Sequence, residues 1–141
     1  MAEMRHEITI NAPAKQVYDA ITTGSGLRQW WTADSVAEPL VGTIAEFGFF
    51  NRKTVFRMQI EELTPAKRVV WSCVGGPDEW KGTRLTWDLS TKGETTKVIF
   101  QHGGWASTEG DFGRCNSTWG ALMYRLKGFA EGKSPGPHFT D

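Results

Sequence analysis

The sequence predicts a single α+β domain in which a curved antiparallel β-sheet wraps around one long C-terminal α-helix, with two short helices near the N-terminus. Three observations carry this. Between Gly42 and His102 apolar residues recur with a period of two, in runs separated by short turns. After that stretch comes one long helical stripe, Trp119, Leu122, Met123, Leu126, Phe129 and Ala130. Strands joined by hairpin-like turns pair antiparallel, and a sheet with one apolar face needs a cover that only this helix is long enough to give.

Each element can be justified in order. Residues 5–10 alternate, with His6, Ile8 and Ile10 on one side and Arg5, Glu7 and Thr9 on the other, which predicts a half-buried strand. Asn11-Ala12-Pro13 stops it, and Pro13 suits a first helical turn, where a missing N–H costs nothing. Val17, Ala20 and Ile21 share the inner face of the helix that follows, and Gly24 and Gly26 end it. A second short helix is expected over residues 25–31, then a polar loop over 32–41.

Five strands follow. Residues 43–49 alternate weakly, and Asn51-Arg52 turns into 54–63, where Phe56, Met58 and Ile60 oppose Arg57, Gln59 and Glu61. Thr64-Pro65-Ala66 turns into 68–74, with Val69, Trp71 and Cys73 in phase. A Gly75-Gly76-Pro77 loop leads to 82–90, with Leu85, Trp87 and Leu89 in phase, and Lys92-Gly93-Glu94 leads to 95–102, with Val98, Phe100 and His102 in phase. The last helix is expected to begin between Ser107 and Gly113 and to stop at Gly132. The domain thus spans residues 1–132, and residues 133–141, rich in Pro and Gly, are expected to form a flexible tail.

Composition narrows the function. The 141 residues carry 16 basic and 16 acidic side chains, and no basic stripe of the kind nucleic acid needs. No run approaches the roughly 20 apolar residues that span a bilayer, and the first residues lack the apolar segment of a signal peptide, so a cytoplasmic location with no membrane partner is expected. Cys73 and Cys115 have no metal-like spacing and are expected to be buried thiols in a reducing compartment. His6, His102 and His138 are too scattered for a metal site, and neither a phosphate-binding Gly-rich loop nor a GxSxG elbow is present, so no metal or cofactor is implied.

Seven tryptophans in a chain of this size either fill a large core or wall a pocket. If they wall one, the expected ligand contacts are Trp30, Trp31, Phe56, Met58, Trp71, Trp87, Phe100, Trp119 and Met123, with His102 as the polar group, and the ligand is small and apolar or aromatic. His102 is also the one candidate general acid or base, with Glu109 or Asp111 near enough in sequence to orient it; against this stands a histidine hydrogen-bonded at a strand end. Arg57 and Arg84 fall out of phase with their apolar neighbours and are expected to face solvent.

Particular segments also resemble a known family. Residues 8–22 (Ile-Thr-Ile-Asn-Ala-Pro-Ala-Lys-Gln-Val-Tyr-Asp-Ala-Ile-Thr) are similar to the strand-into-helix start of the helix-grip superfamily of START-like, Bet v 1-like domains. Leu27-Arg28-Gln29-Trp30-Trp31 resembles its short-helix signature, and Glu61-Glu62-Leu63-Thr64-Pro65 with Arg68-Val69-Val70-Trp71 its central hairpin. Leu85-Thr86-Trp87-Asp88-Leu89, the run 96–102 and Gly103-Gly104-Trp105 are similar to its last strands, and Trp119, Leu122 and Leu126-Lys127 to its C-terminal helix. Within the superfamily the chain looks most like bacterial relatives of the C-terminal domain of the Hsp90 ATPase activator. The resemblance implies a helix-grip fold with a cavity between sheet and long helix. It also implies a choice of roles: binding a small ligand, engaging a chaperone or other protein, or catalysis of a cyclase or hydrolase type through His102. Of these, binding a small ligand is the leading expectation.

Overall fold

The computed structural model describes residues 1–140. Seven strands form one antiparallel sheet: β1 (Ala2–Ile10), β2 (Asp34–Val36), β3 (Ile44–Phe49), β4 (Thr54–Thr64), β5 (Arg68–Gly75), β6 (Arg84–Lys92) and β7 (Thr95–Trp105). The spatial order is β1-β7-β6-β5-β4-β3-β2, so the strands after β1 run as a meander and the last folds back beside the first. His6 lies opposite Phe100 and Ile8 opposite Val98 in that closing pair. Register shifts between Arg57 and Met58 and between Ile60 and Glu62 bend the long β4–β5 hairpin, as bulges do.

The helices are α1 (Ala14–Thr22), α2 (Gly24–Leu27) and α3 (Phe112–Ala130). Pro13 stands one position earlier than the sequence suggests, at the N-cap of α1, and its carbonyl accepts from the N–H groups of Gln16 and Val17. Gly24 opens α2 instead of only ending α1, because Thr23 caps it by accepting from the Gly26 N–H at 3.0 Å. Gly26 is required by close approach: a Cβ there would lie 2.7 Å from the Ala20 Cα. The expected helix over 25–31 stops at Leu27 and continues as turns, and the polar loop contains the short edge strand β2, which pairs with β3 from Asp34↔Gly48 to Val36↔Glu46. A three-residue strand flanked by polar residues offers no alternation to read.

The apolar stripe of α3 buries Trp119, Leu122, Met123, Leu126 and Ala130 against the sheet and α1, as its spacing predicts, with Phe129 only half-buried. All seven tryptophans are buried. Trp30 donates its indole N–H to the Ala20 carbonyl at 2.9 Å, and Trp119 donates to His102 Nδ1 at 3.2 Å. The indole N–H groups of Trp71, Trp87 and Trp105 have no hydrogen-bond acceptor and lie among other rings, Trp71 and Trp87 meeting edge to face at 5.8 Å. Each unpaired donor costs roughly 1–3 kcal/mol, against about 0.5–1.5 kcal/mol gained per aromatic pair. Arg57 and Arg84 face solvent, as parity predicts, and Cys73 is buried while Cys115 is only half-buried. No helix among the described residues is long and apolar enough to cross a membrane.

The C-terminal segment has specific partners. The Phe139 N–H donates to the Trp31 carbonyl at 2.9 Å, and the Ala33 N–H to the Phe139 carbonyl at 2.9 Å. Arg125 donates to the carbonyls of Pro135, Gly136 and Pro137. Composition gives no hint of these contacts, because both backbone pairs and the guanidinium clamp act on main-chain atoms.

Candidate functional site

The space between sheet and helix is closed where the sequence reading expects it to be open. Trp30, Met58, Trp71, Trp87, Phe100, His102 and Met123 are all 0–2% exposed and pack together as core. The opening lies to one side, over the N-terminal half of α3. It is a cleft of about 510 Å³, within the size range of small-molecule sites. Of the ten expected contacts it gathers three, Trp31, Phe56 and Trp119.

Four pieces of chain build the cleft. Strands β3 and β4 and the hairpin between them supply Phe49, Phe50, Thr54 and Phe56. The β5–β6 loop supplies Pro77 and Trp80; α3, with the residue before it, supplies Asp111, Arg114, Cys115, Thr118, Trp119 and Leu122. Phe139 and Trp31 close the remaining side. The walls are stacked on one another: Phe56 on Trp80 at 4.2 Å, Trp31 against Trp119 at 5.1 Å, and Phe49 edge-on to Phe139 at 4.9 Å. Seven aromatic side chains thus face one opening, a surface suited to a flat apolar ligand.

The hairpin that presents Phe50 is strained and braced. Phe50, Asn51 and Arg52 have φ of 56°, 57° and 63°, three successive non-glycine residues in the left-handed region, at roughly 1 kcal/mol each. Arg52 ties the tip to the neighbouring strands by pairing with Asp34 at 2.7 Å and Glu46 at 2.8 Å. Glu46 also accepts from Arg57, and these guanidinium bonds hold its carboxyl below the usual carboxylate range. The brace fixes a half-exposed Phe50 at the rim, so the aromatic wall exists before any ligand arrives.

Polar groups are few: Thr54 on β4, and the rest on α3 or just before it. Arg114 pairs with Asp111, whose backbone N–H donates to Glu79. The Thr118 hydroxyl donates to the Arg114 carbonyl. Burial pushes the Cys115 thiol upward, so it is a protonated wall group at neutral pH and not a nucleophile.

His102 is placed elsewhere. Its ring is wholly buried and its nitrogens are both engaged, Nδ1 accepting from Trp119 and Nε2 lying 2.9 Å from Thr83 Oγ1. Since Nδ1 accepts, Nε2 carries the proton and donates it to Thr83, whose hydroxyl donates onward to the Trp80 carbonyl at 2.6 Å. Burial drives its pKa down to about 3, so it stays neutral. Neither Glu109 nor Asp111 hydrogen-bonds to it. The histidine is a satisfied buried group, though inside β7, which runs on to Trp105, and not at a strand end; it supports the cleft floor through Trp80 and Trp119. Among the described residues no group of three or more His, Cys, Asp or Glu side chains is placed to hold a metal.

Sequence reasoning missed Trp80, Cys115, Phe50 and Phe139. Trp80 and Phe50 stand in turns where no periodicity applies, and Cys115 is in the first turn of a helix whose stripe begins later. An isolated Phe in a Pro-Gly tail was the one legible sign of Phe139.

Residues 11–131 match the family described as Activator of Hsp90 ATPase homolog 1-like protein. The chain is similar to the Aha1 of Colwellia psychrerythraea, solved in solution as a dimer: 32% identity, 94% of this chain and 98% of that one covered, TM-score 0.85. It has the fold of DynU16, a protein of the dynemicin biosynthetic locus, at 19% identity and TM-score 0.79, covering 99% of this chain and 51% of that one. It also has the fold of protein MLL2253 from Mesorhizobium loti, at 15% identity and TM-score 0.78, covering 89% and 94%. No curated protein matches the chain.

Proposed function

The chain belongs to the family of Activator of Hsp90 ATPase homolog 1-like proteins, and from that premise we propose that it binds a small, flat, apolar or aromatic ligand in the cleft over α3. One observation carries the reading: seven aromatic side chains line a preformed opening of about 510 Å³ with few polar groups, most of them on or just before α3. Of these seven rings only Phe50 is exposed and Phe56 and Phe139 are half-buried, so the rings form a concave, largely shielded apolar wall of the kind small-molecule sites have. The ligand's ring system lies against Trp31, Trp80 and Trp119, and a polar substituent meets Thr118 and Arg114. Catalysis through His102 is not part of this proposal, since no ring nitrogen is free and the ring does not line the cleft.

The test is a tryptophan-fluorescence titration with planar aromatics, flavonoids and aromatic polyketides, run in parallel on Thr118→Trp, which fills the cleft from α3. Saturable quenching in the wild type and its loss in the variant is the expected result. No response across the set, or equal affinity in both proteins, would remove the proposal.

A second reading has its own observation. Val36, Leu40, Val41 and Ile44 are exposed within nine residues at the β2 edge of the sheet. The C. psychrerythraea relative is a dimer, and we propose that this edge receives a second copy of the present chain. Light scattering after gel filtration is expected to give a dimer mass that Val41→Lys reduces to a monomer; a monomer in the wild type at high micromolar concentration refutes it.

A further inference from the structure

Residues 133–140 lead from α3 to the cleft that the proposed function assigns to a ligand, where Phe139 forms part of the wall, and this inference rests on that reading. After α3 the backbone turns at Gly132 (φ 93°), with the Lys133 N–H donating to the Gly128 carbonyl at 2.8 Å. The chain then runs back along the helix to Arg125. That guanidinium donates to the carbonyls of Pro135 at 2.6 Å, Gly136 at 2.7 Å and Pro137 at 3.3 Å. Two prolines contribute acceptors without N–H groups, and Gly136 (φ 74°) allows the bend that points three carbonyls at one cation. Beyond this clamp Phe139 pairs in parallel with Thr32, at the entrance to the edge strand β2. Its ring packs edge-on to Phe49 at 4.9 Å and Phe50 at 6.4 Å and so becomes part of the cleft wall.

We propose that residues 133–140 form a hinged strap that gates the cleft, with Arg125 fixing the hinge and Phe139 as the bolt. The attachments are of two unequal kinds. The hinge is held by a charge-assisted fork on three carbonyls. The bolt is held by two neutral backbone hydrogen bonds and one half-buried ring, so it opens far below the cost of global unfolding. When Phe139 leaves, one aromatic wall is removed and the side of the cleft toward Trp31 lies open. When it returns, a bound ring system is covered on the face away from α3. Arg125 does not line the cleft, so it acts on ligand passage only through the strap.

Arg125→Met keeps the aliphatic stem and removes the clamp. Amide exchange by NMR at Ala33 and Phe139 reports the bolt without any ligand, and both amides are expected to exchange at least tenfold faster in the variant. Stopped-flow mixing with 1-anilinonaphthalene-8-sulfonate reports passage, and association is expected to be at least fivefold faster than in the wild type. Phe139→Ala, whose substitution lies outside the core helix, is expected to show the same faster association, and it serves if the first variant folds poorly. Unchanged exchange at Ala33 and Phe139 overturns the role of Arg125. Faster exchange with an unchanged association rate overturns the gate while leaving the cleft as a binding site. Absence of probe binding in every protein overturns the cleft reading and the gate with it.

Discussion

Acidification from pH 7 to pH 5 is expected to cost the fold about 2 kcal/mol through one buried imidazole, that of His102. In the folded protein its Nδ1 accepts the Trp119 indole N–H and its Nε2–H is donated to Thr83, so a second ring proton would face a donor inside an apolar shell. Burial holds the pKa at about 3, against about 6.5 when unfolded. The unfolded chain therefore binds more protons between these values, and stability falls as pH drops through 6.5. Each unit below 6.5 costs about 1.4 kcal/mol until the folded pKa is reached. Between pH 7 and 5 this comes to about 2 kcal/mol. Urea unfolding at pH 7, 6 and 5 on the wild type and His102→Gln isolates the effect. The variant is expected to be less stable at pH 7, because an indole donor loses its acceptor at roughly 1–3 kcal/mol. Its further loss on acidification should be smaller than the wild type's by about 2 kcal/mol. Burial lowers His138 as well and Arg125 adds to that, but this acts equally in both proteins and cancels. Parallel acid losses in the two would refute the reasoning.

Other consequences follow from single positions. Gly26→Ala forces a Cβ to 2.7 Å from Ala20 and should lower stability by about 1–3 kcal/mol, read as a fall in melting temperature. Ala66, at φ 62° in the β4–β5 turn, should gain up to about 1 kcal/mol on replacement by Gly, measurable by urea unfolding. Of the two thiols, Cys115 should react with a disulfide reagent in the native protein, slowly and with a rate still rising above pH 9. Cys73, buried and with its pKa pushed up to about 11, should react only on unfolding; mass spectrometry of the labelled peptides decides it.

The α+β architecture was legible because its large elements obey simple periods. The stripe Trp119, Leu122, Met123, Leu126 located α3, and the alternation in β4 to β7 put Met58, Trp71, Trp87, Phe100 and His102 on the inner face. The same parity cannot tell whether an inner face is filled or hollow. That depends on how far the bent sheet stands from the helix, and here Trp30, Trp71 and Trp87, with Met58, Phe100 and Met123, fill the gap. The cleft is made where periodicity ends, by the tip of the β3–β4 hairpin, the β5–β6 loop, the first turns of α3 and the tail. Phe50 is aimed by three left-handed residues and a two-carboxylate brace on Arg52, and Phe139 by main-chain hydrogen bonds. Neither arrangement leaves a pattern along the chain.

The indole N–H resonances of a 15N-labelled sample test the central claim most directly, during titration with a flavonoid or aromatic polyketide that quenches the fluorescence. Trp31, Trp80 and Trp119 line the cleft, whereas Trp30, Trp71, Trp87 and Trp105 lie behind it. Binding in the cleft predicts saturable shifts of the first three signals with the other four nearly still. Shifts centred on Trp71 and Trp87, or no shift in any of the seven, would contradict it.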